Sequence, residues 1–214
     1  MRYITIFILA FLAMTLPGCR CGSERQVYSG SEIYKKYSQA VFLVATTDDK
    51  QNYIGSGFFV SSKGRAISNY HVLKNMTDAV IVLSDGSLAE ISRIVNVSPR
   101  YDFIVFDVDI SKKCKYIPLP NKKFRYKPTI GEKVYAIGNP LGLDNTFSSG
   151  EVSQIRHGED YELQTSVPFD HGSSGGPLIN RYGEVIGITS AIMEYSAANL
   201  NFAVDIERVR DYIK

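Results

Sequence analysis

The 214-residue chain lacks most of what would signal a metal centre or a nucleic-acid partner. Its only cysteines are Cys19, Cys21 and Cys114, and its only histidines are His71, His157 and His171. None of these falls into metal-ligand spacing, so neither a metal nor an organic cofactor is implied. Charge of one sign is also missing: 24 basic residues stand against 22 acidic ones, spread along the chain. A net +2 distributed in this way gives nucleic acid no electrostatic footing. Sequence repeats and low-complexity tracts are absent. What is present, 44% hydrophobic and 12% aromatic residues, describes a globular chain long enough to bury a core.

One long apolar run exists, Tyr3 to Leu16, after a positive Arg2. It is short for a membrane span and suits the core of a signal peptide. Residues 1–18 are therefore assigned as signal peptide, 19–30 as a flexible tether and 31–214 as the folded domain. Leu16-Pro17-Gly18-Cys19 resembles the lipobox of bacterial lipoproteins, in which Cys19 would be the lipidated first residue of the mature chain. Pro17 is an uncommon occupant of that motif, so ordinary cleavage and an uncleaved anchor stay open. Each version exports the chain, to a bacterial-type cell envelope (periplasmic or membrane-attached through Cys19) or beyond. Cys21 and Cys114 either pair there or stay as thiols.

Downstream the pattern is strand after strand: Ala40 to Ala45, Gly57 to Val60, Gly64 to Ser68, Ala79 to Leu83, Glu90 to Val97 and Phe103 to Ile110. Asp85-Gly86 marks a hairpin. A Lys- and Pro-rich connector follows, centred on 116–128, and then a second set begins: Lys133 to Ile137, Thr146 to Ile155, Tyr161 to Thr165, Pro177 to Asn180, Val185 to Ile192 and Asn201 to Val204. Helix is expected only near residues 31–36, capped by Ser31, and at the C-terminus, capped by Asp205. The fold class is all-β, with two similar halves (31–115 and 129–214) that suggest tandem barrels.

The chemistry concentrates at Gly172-Ser173-Ser174-Gly175-Gly176-Pro177-Leu178. A serine nucleophile needs a tight exposed turn, a base and donors for an oxyanion. Glycines here let successive backbone N–H groups converge, with Gly172, Ser173 and Ser174 the candidate oxyanion residues. An ordinary Gly/Ser loop would read the same in isolation. Chain order discriminates further. All three histidines precede Ser174, which excludes the Ser…Asp…His order of α/β-hydrolases. His71 ends the Ala66-to-Ser68 strand as general base, and Asp102 opens the apolar Phe103 strand as its orienting carboxylate. Asp107 and Asp109 alternate with apolar residues and read as the solvent face of that strand. A cysteine nucleophile at Cys114 fails, because no Gly-rich or helix-opening sequence surrounds it.

Taken together, Gly55-Ser56-Gly57-Phe58-Phe59-Val60, Ser68 to Leu73, Asp102 with its apolar run, Ala136 to Gly142, Ser149 to Ser153, Gln164-Thr165, the Gly172 motif, Gly187-Ile188-Thr189 and Asn201 to Val204 resemble trypsin-like serine proteases, most closely the HtrA/Deg branch. The resemblance spans residues 31–212. It implies two six-stranded antiparallel barrels of chymotrypsin type with a short C-terminal helix. It also implies a serine endopeptidase acting on protein or peptide substrates through an acyl-enzyme, in envelope quality control or processing, and by analogy a homotrimer. Pro168 falls at the bottom of the specificity pocket with Phe169 beside it, and Thr189, Ser190 and Ala191 fall on the strand that pairs with substrate. No carboxylate stands at Pro168, which predicts cleavage after small or medium aliphatic residues. Several features depart from the branch. Ser173 replaces the usual Asn, His171 replaces the usual Arg, the segment between Ile155 and Gln164 is short, and the sequence stops where PDZ domains would follow. Ser173 also offers no charge to a newly cut N-terminus, so no zymogen switch is expected. A binding or chaperone-like module with vestigial proteolysis is the alternative function.

Overall fold

The computed structural model describes residues 25–47, 52–74, 78–124, 126–139, 145–156, 162–190 and 201–214. The signal segment, Cys19, Cys21, His157 and Ala191 lie outside these residues, and with them lipidation and any Cys21–Cys114 pairing.

The first half is one antiparallel sheet of seven strands. They are β1 (Val41–Thr47), β2 (Asn52–Phe59), β3 (Arg65–Ser68), β4 (Asp78–Val82), β5 (Leu88–Ala89), β6 (Ile91–Ser98) and β7 (Phe103–Val108), in the spatial order β5-β4-β1-β2-β3-β7-β6. The second half is a closed barrel of six: β8 (Lys133–Gly138), β9 (Thr146–Ile155), β10 (Glu162–Thr165), β11 (Pro177–Asn180), β12 (Val185–Ser190) and β13 (Asn201–Asp205), in the order β10-β13-β12-β11-β8-β9. Two closed six-stranded barrels are therefore half right. The first sheet curls without closing, because β5 is only two residues long and pairs with β4 alone before the chain turns at Glu90 into β6.

Alternation along the strands builds three packed layers. Phe42, Val44, Phe59, Ala66, Ile81 and Phe106 fill the first half, and Val134, Val152, Leu163, Leu178, Ile186 and Ala203 fill the barrel. Strand β7 serves two cores at once: Ile104 and Phe106 face the first, whereas Phe103 and Val105 join Phe58, Ile67, Ile137, Ile179 and Ile188 in the seam between the halves. That seam is what fixes one half against the other, and the site described below lies along it.

Helix α1 (Gly30–Tyr37) is present, but its cap is Ser29 and not Ser31. The Ser29 Oγ accepts the Glu32 N–H and the Glu32 carboxylate accepts the Ser29 N–H at 2.8 Å, a reciprocal box that needs a spacing of three residues. Helix α3 (Ile206–Val209) is capped by Asp205 as expected, through the Glu207 N–H. Asp107 is not a bare solvent-facing residue. It accepts from Arg65 Nε at 2.5 Å and from Arg93 at 2.6 Å, tying β3, β6 and β7 together. Burial would raise its carboxyl pKa, and the hydrogen bonds from Arg65 and Arg93 outweigh that and hold it below the ordinary value. The stabilisation is thus complete above the unfolded-state pKa of about 3.9 and disappears as pH falls through the lower native value. Asp107→Asn should cost about 1–2 kcal/mol at neutral pH by denaturant unfolding. The gap from wild type should narrow below about pH 4; a gap independent of pH would contradict the ion-pair account.

Candidate active site

Strand β2 carries Ser56 into the seam, where it is fully buried. Its N–H donates to the Ser174 carbonyl at 2.7 Å and its hydroxyl donates to the Gly172 carbonyl at 2.7 Å. The same Oγ accepts the Asn139 N–H at 2.9 Å, and the Ser56 carbonyl accepts the Ser68 hydroxyl at 2.7 Å. A residue of the first sheet thus grips two carbonyls of the 172–176 loop.

Strand β12 grips the loop from the other side. The Thr189 hydroxyl donates to the Ser173 carbonyl at 2.6 Å, while the Thr189 N–H and C=O bond the Gly176 carbonyl and the Gly175 N–H, each at 2.8 Å. In a trans peptide the N–H points opposite the C=O, so holding the Ser173 carbonyl on Thr189 turns the Ser174 N–H away from β12. The Ser173 N–H donates to the Asp170 carbonyl at 2.9 Å, across a turn whose Gly172 has φ of 94°. That bond removes Ser173 from the expected oxyanion set and leaves the Gly172 and Ser174 N–H groups as candidates. Gly175 could be nothing else. Its φ is 88°, and a Cβ there would stand 2.1 Å from the Ser56 carbonyl and 2.3 Å from Ser68 Oγ.

The loop therefore lies on the end of β3, from which α2 (Tyr70–Leu73) carries His71. Gly55 shows the same proximity: a Cβ on it would meet Val72 at 2.5 Å and the Ser174 carbonyl at 3.3 Å. His71 and Asp102 meet directly. The Asp102 Oδ1 accepts the His71 N–H at 2.9 Å, and its Oδ2 lies 2.7 Å from His71 Nδ1. A carboxylate only accepts, so Nδ1 carries the proton in this contact. Asp102 adopts φ of 50°, an uncommon left-handed conformation for a non-glycine residue. Asn69 Nδ2 holds that corner by donating to the Asp102 carbonyl at 2.8 Å, and the Ser190 hydroxyl reaches Oδ2 at 3.4 Å.

Pro168 and Phe169 line a cavity of about 310 Å³ together with Ala136, Thr146, Ser173 and Thr189. Asp170 also lines it, exposed, with Oδ1 accepting the His171 N–H at 2.7 Å, so a carboxylate does stand at this cavity, two residues beyond Pro168. Edge pairing of substrate through Thr189 is closed off, because both its backbone groups are used within the fold. Sequence reasoning missed the roles of Ser56, Asn139 and the Thr189 hydroxyl; the small residues of Gly55-Ser56-Gly57 were the only signal of a close approach.

With this geometry in view, the family model for the trypsin-like peptidase domain matches residues 55–188. The chain belongs to the trypsin-like peptidase domain family. Among curated relatives, this family member is 35% identical over 158 residues to a probable periplasmic serine endoprotease DegP-like of Bartonella henselae, covering 71% of the chain and 30% of the relative. It is 33% identical over 175 residues to the putative serine protease HhoB of Synechocystis, covering 77% of the chain and 40% of that protein. The chain spans less than half the length of either. The crystal structure of the serine endoprotease from Yersinia pestis superposes with a TM-score of 0.75 at 28% identity, over 86% of this chain and 66% of the other. The trypsin-like domain is thus HtrA/DegP-like, with a chymotrypsin-like fold.

Gly175→Ala should destabilise by about 2–4 kcal/mol, since backbone and not a flexible side chain blocks the added carbon. Ser56→Ala should cost about 1–3 kcal/mol by leaving the Gly172 carbonyl and Asn139 N–H without a partner. Equilibrium unfolding measures both, and wild-type stability in either variant would refute the described packing.

Proposed function

We propose that the chain is a serine endopeptidase with Ser174 as nucleophile, His71 as general base and Asp102 as its orienting partner. The observation that carries this is the pairing of Asp102 with the backbone nitrogen and the ring Nδ1 of His71, beside a Ser174 loop pinned on two sides. In this reading Ser174 Oγ attacks the scissile carbonyl while His71 Nε2 takes its proton. His71 then returns the proton to the leaving amine, and water repeats the sequence to release the acid. Asp102 keeps the imidazole in the reactive tautomer and stabilises the imidazolium. The Gly172 and Ser174 N–H groups receive the oxyanion, and the Thr189 hydroxyl positions the second of these through the Ser173 carbonyl.

The substrates are unfolded or exposed protein segments in the cell envelope, cut after small or medium aliphatic residues. The mainly apolar walls at Ala136, Ile137, Pro168 and Phe169 support that preference, and the relative from Bartonella is named periplasmic. No internal cut is needed for activity. The Ser173 hydroxyl accepts the Asp170 N–H at 3.3 Å within its own turn and does not wait for a new amine.

Hydrolysis of an unfolded protein should fall about 10⁴- to 10⁶-fold in kcat for Ser174→Ala and His71→Ala, and about 10⁴-fold for Asp102→Asn. Thr189→Val should lower kcat about ten- to a hundredfold with KM little changed. Retention of activity in Ser174→Ala would overturn the assignment. Cleavage-site profiling on a peptide library should show Ala, Val, Leu or Ile before the cut. A profile dominated by Lys or Arg would mean that Asp170, and not the apolar wall, sets specificity.

A further inference from the structure

Cations that look scattered along the sequence are gathered at one end of the closed barrel. Arg25, Lys127, Lys133 and Arg181 line a single open recess of about 570 Å³. They come from the segment before α1, the connector, the start of β8 and the turn after β11. Lys133 stands opposite Glu151 in the β8–β9 register without an ion pair between them, and two further carboxylates at the recess are already engaged. Glu184 accepts from Arg25 and from Asn180 Nδ2 at 3.1 Å, and Glu132 accepts the Tyr126 hydroxyl at 2.7 Å and the Thr129 N–H at 3.2 Å. Lys127 and Lys133 are exposed, with no carboxylate partner among the described residues.

The recess is more than charged. Ile130, 62% exposed, sits at the tip of a turn closed by the Glu132 N–H on the Thr129 carbonyl at 3.1 Å. Two tyrosine rings form the wall behind it, with the Arg25 guanidinium 3.9 Å from the centroid of Tyr182 and 5.6 Å from that of Tyr126. An exposed aliphatic tip, tyrosines at its base and a ring of Lys and Arg match the layers of a lipid interface: acyl boundary, headgroup level and phosphate. A nucleic acid offers nothing to the apolar tip. The upstream sequence points the same way. Cys19 precedes Arg25 by six residues, about 20 Å at full extension, and the apolar run precedes Cys19. Attachment through either would hold this end of the fold nearest the membrane.

We propose that this end of the barrel docks on an anionic phospholipid membrane, with Ile130 entering the interface and Lys127, Lys133 and Arg181 on lipid phosphates. The inference stands apart from the peptidase reading, because none of these residues takes part in the Ser174 site. The test is backbone hydrogen exchange of the full chain, read on the peptide covering residues 126–133. It is run with vesicles of phosphatidylcholine alone, with vesicles containing phosphatidylglycerol, and with inorganic phosphate without vesicles. At about fivefold per cation near an anionic surface, exchange should slow by at least about tenfold with phosphatidylglycerol only. The slowing should reverse in about 0.5 M salt and vanish in the Lys127→Glu, Lys133→Glu double variant at unchanged melting temperature. Equal exchange with the two vesicle types overturns the proposal, whether both protect or neither does. Protection by inorganic phosphate alone also overturns it, reassigning the recess to a free anion.

Discussion

The Ser56 hydroxyl is the point at which the two halves of the molecule agree on the position of the 172–176 loop. It is fully buried, donates to the Gly172 carbonyl and accepts the Asn139 N–H, so its own polarity is satisfied on both counts. A loop of five glycines and serines has little packing of its own, and each such residue has much backbone freedom to lose. Fixing it therefore requires external partners of small size and strict geometry. Ser56 provides them from a strand of the first sheet and Thr189 from a strand of the barrel. Each hydrogen bond contributes only about 1 kcal/mol net, but an orphaned buried partner costs about 1–3, which makes the closed arrangement cooperative.

His71 and Asp102 depend on the same seam from the other side. Asp102 holds a left-handed conformation that costs about 1–3 kcal/mol for a residue with a Cβ. The corner is offset by the bonds that arrive there, from Asn69 to its carbonyl and from the His71 backbone to its carboxylate. Because Phe103 and Val105 of the following strand pack into the seam while Ile104 and Phe106 pack into the first core, the carboxylate cannot shift without moving both. The imidazole is in this sense positioned by hydrophobic packing, through one strained residue. In the proposed mechanism, such preorganisation would let Ser174 and His71 act together without reorganisation during reaction.

Strand positions were legible in the sequence because the period-two pattern and the turn residues agree: Thr146 to Ile155 and Pro177 to Asn180 match the structure end to end. His71, Asp102 and the Ser174 loop were legible through chain order and glycine placement. The open first sheet was not, since nothing in Leu88-Ala89 shows that pairing ends after two residues. Ser29 was overlooked as the cap because Ser31 stands next to the acidic residue, whereas the box counts three residues back from it. Ser56 and the Thr189 hydroxyl were invisible for a deeper reason. Their roles exist only between segments more than a hundred residues apart, or across a strand pairing that fixes which face Thr189 presents. The basic recess is the same case, for its cations come from three separate stretches of chain, at Arg25, Lys127 to Lys133 and Arg181.

The central claim is that Ser174 is a nucleophile activated by His71, and covalent labelling reads this most directly. Native protein treated with a fluorophosphonate should carry the adduct on Ser174, located by mass spectrometry of the peptide containing residues 172–176. Labelling should be abolished in Ser174→Ala and slowed by orders of magnitude in His71→Ala. An adduct on another residue, or labelling as fast without the imidazole as with it, would contradict the account.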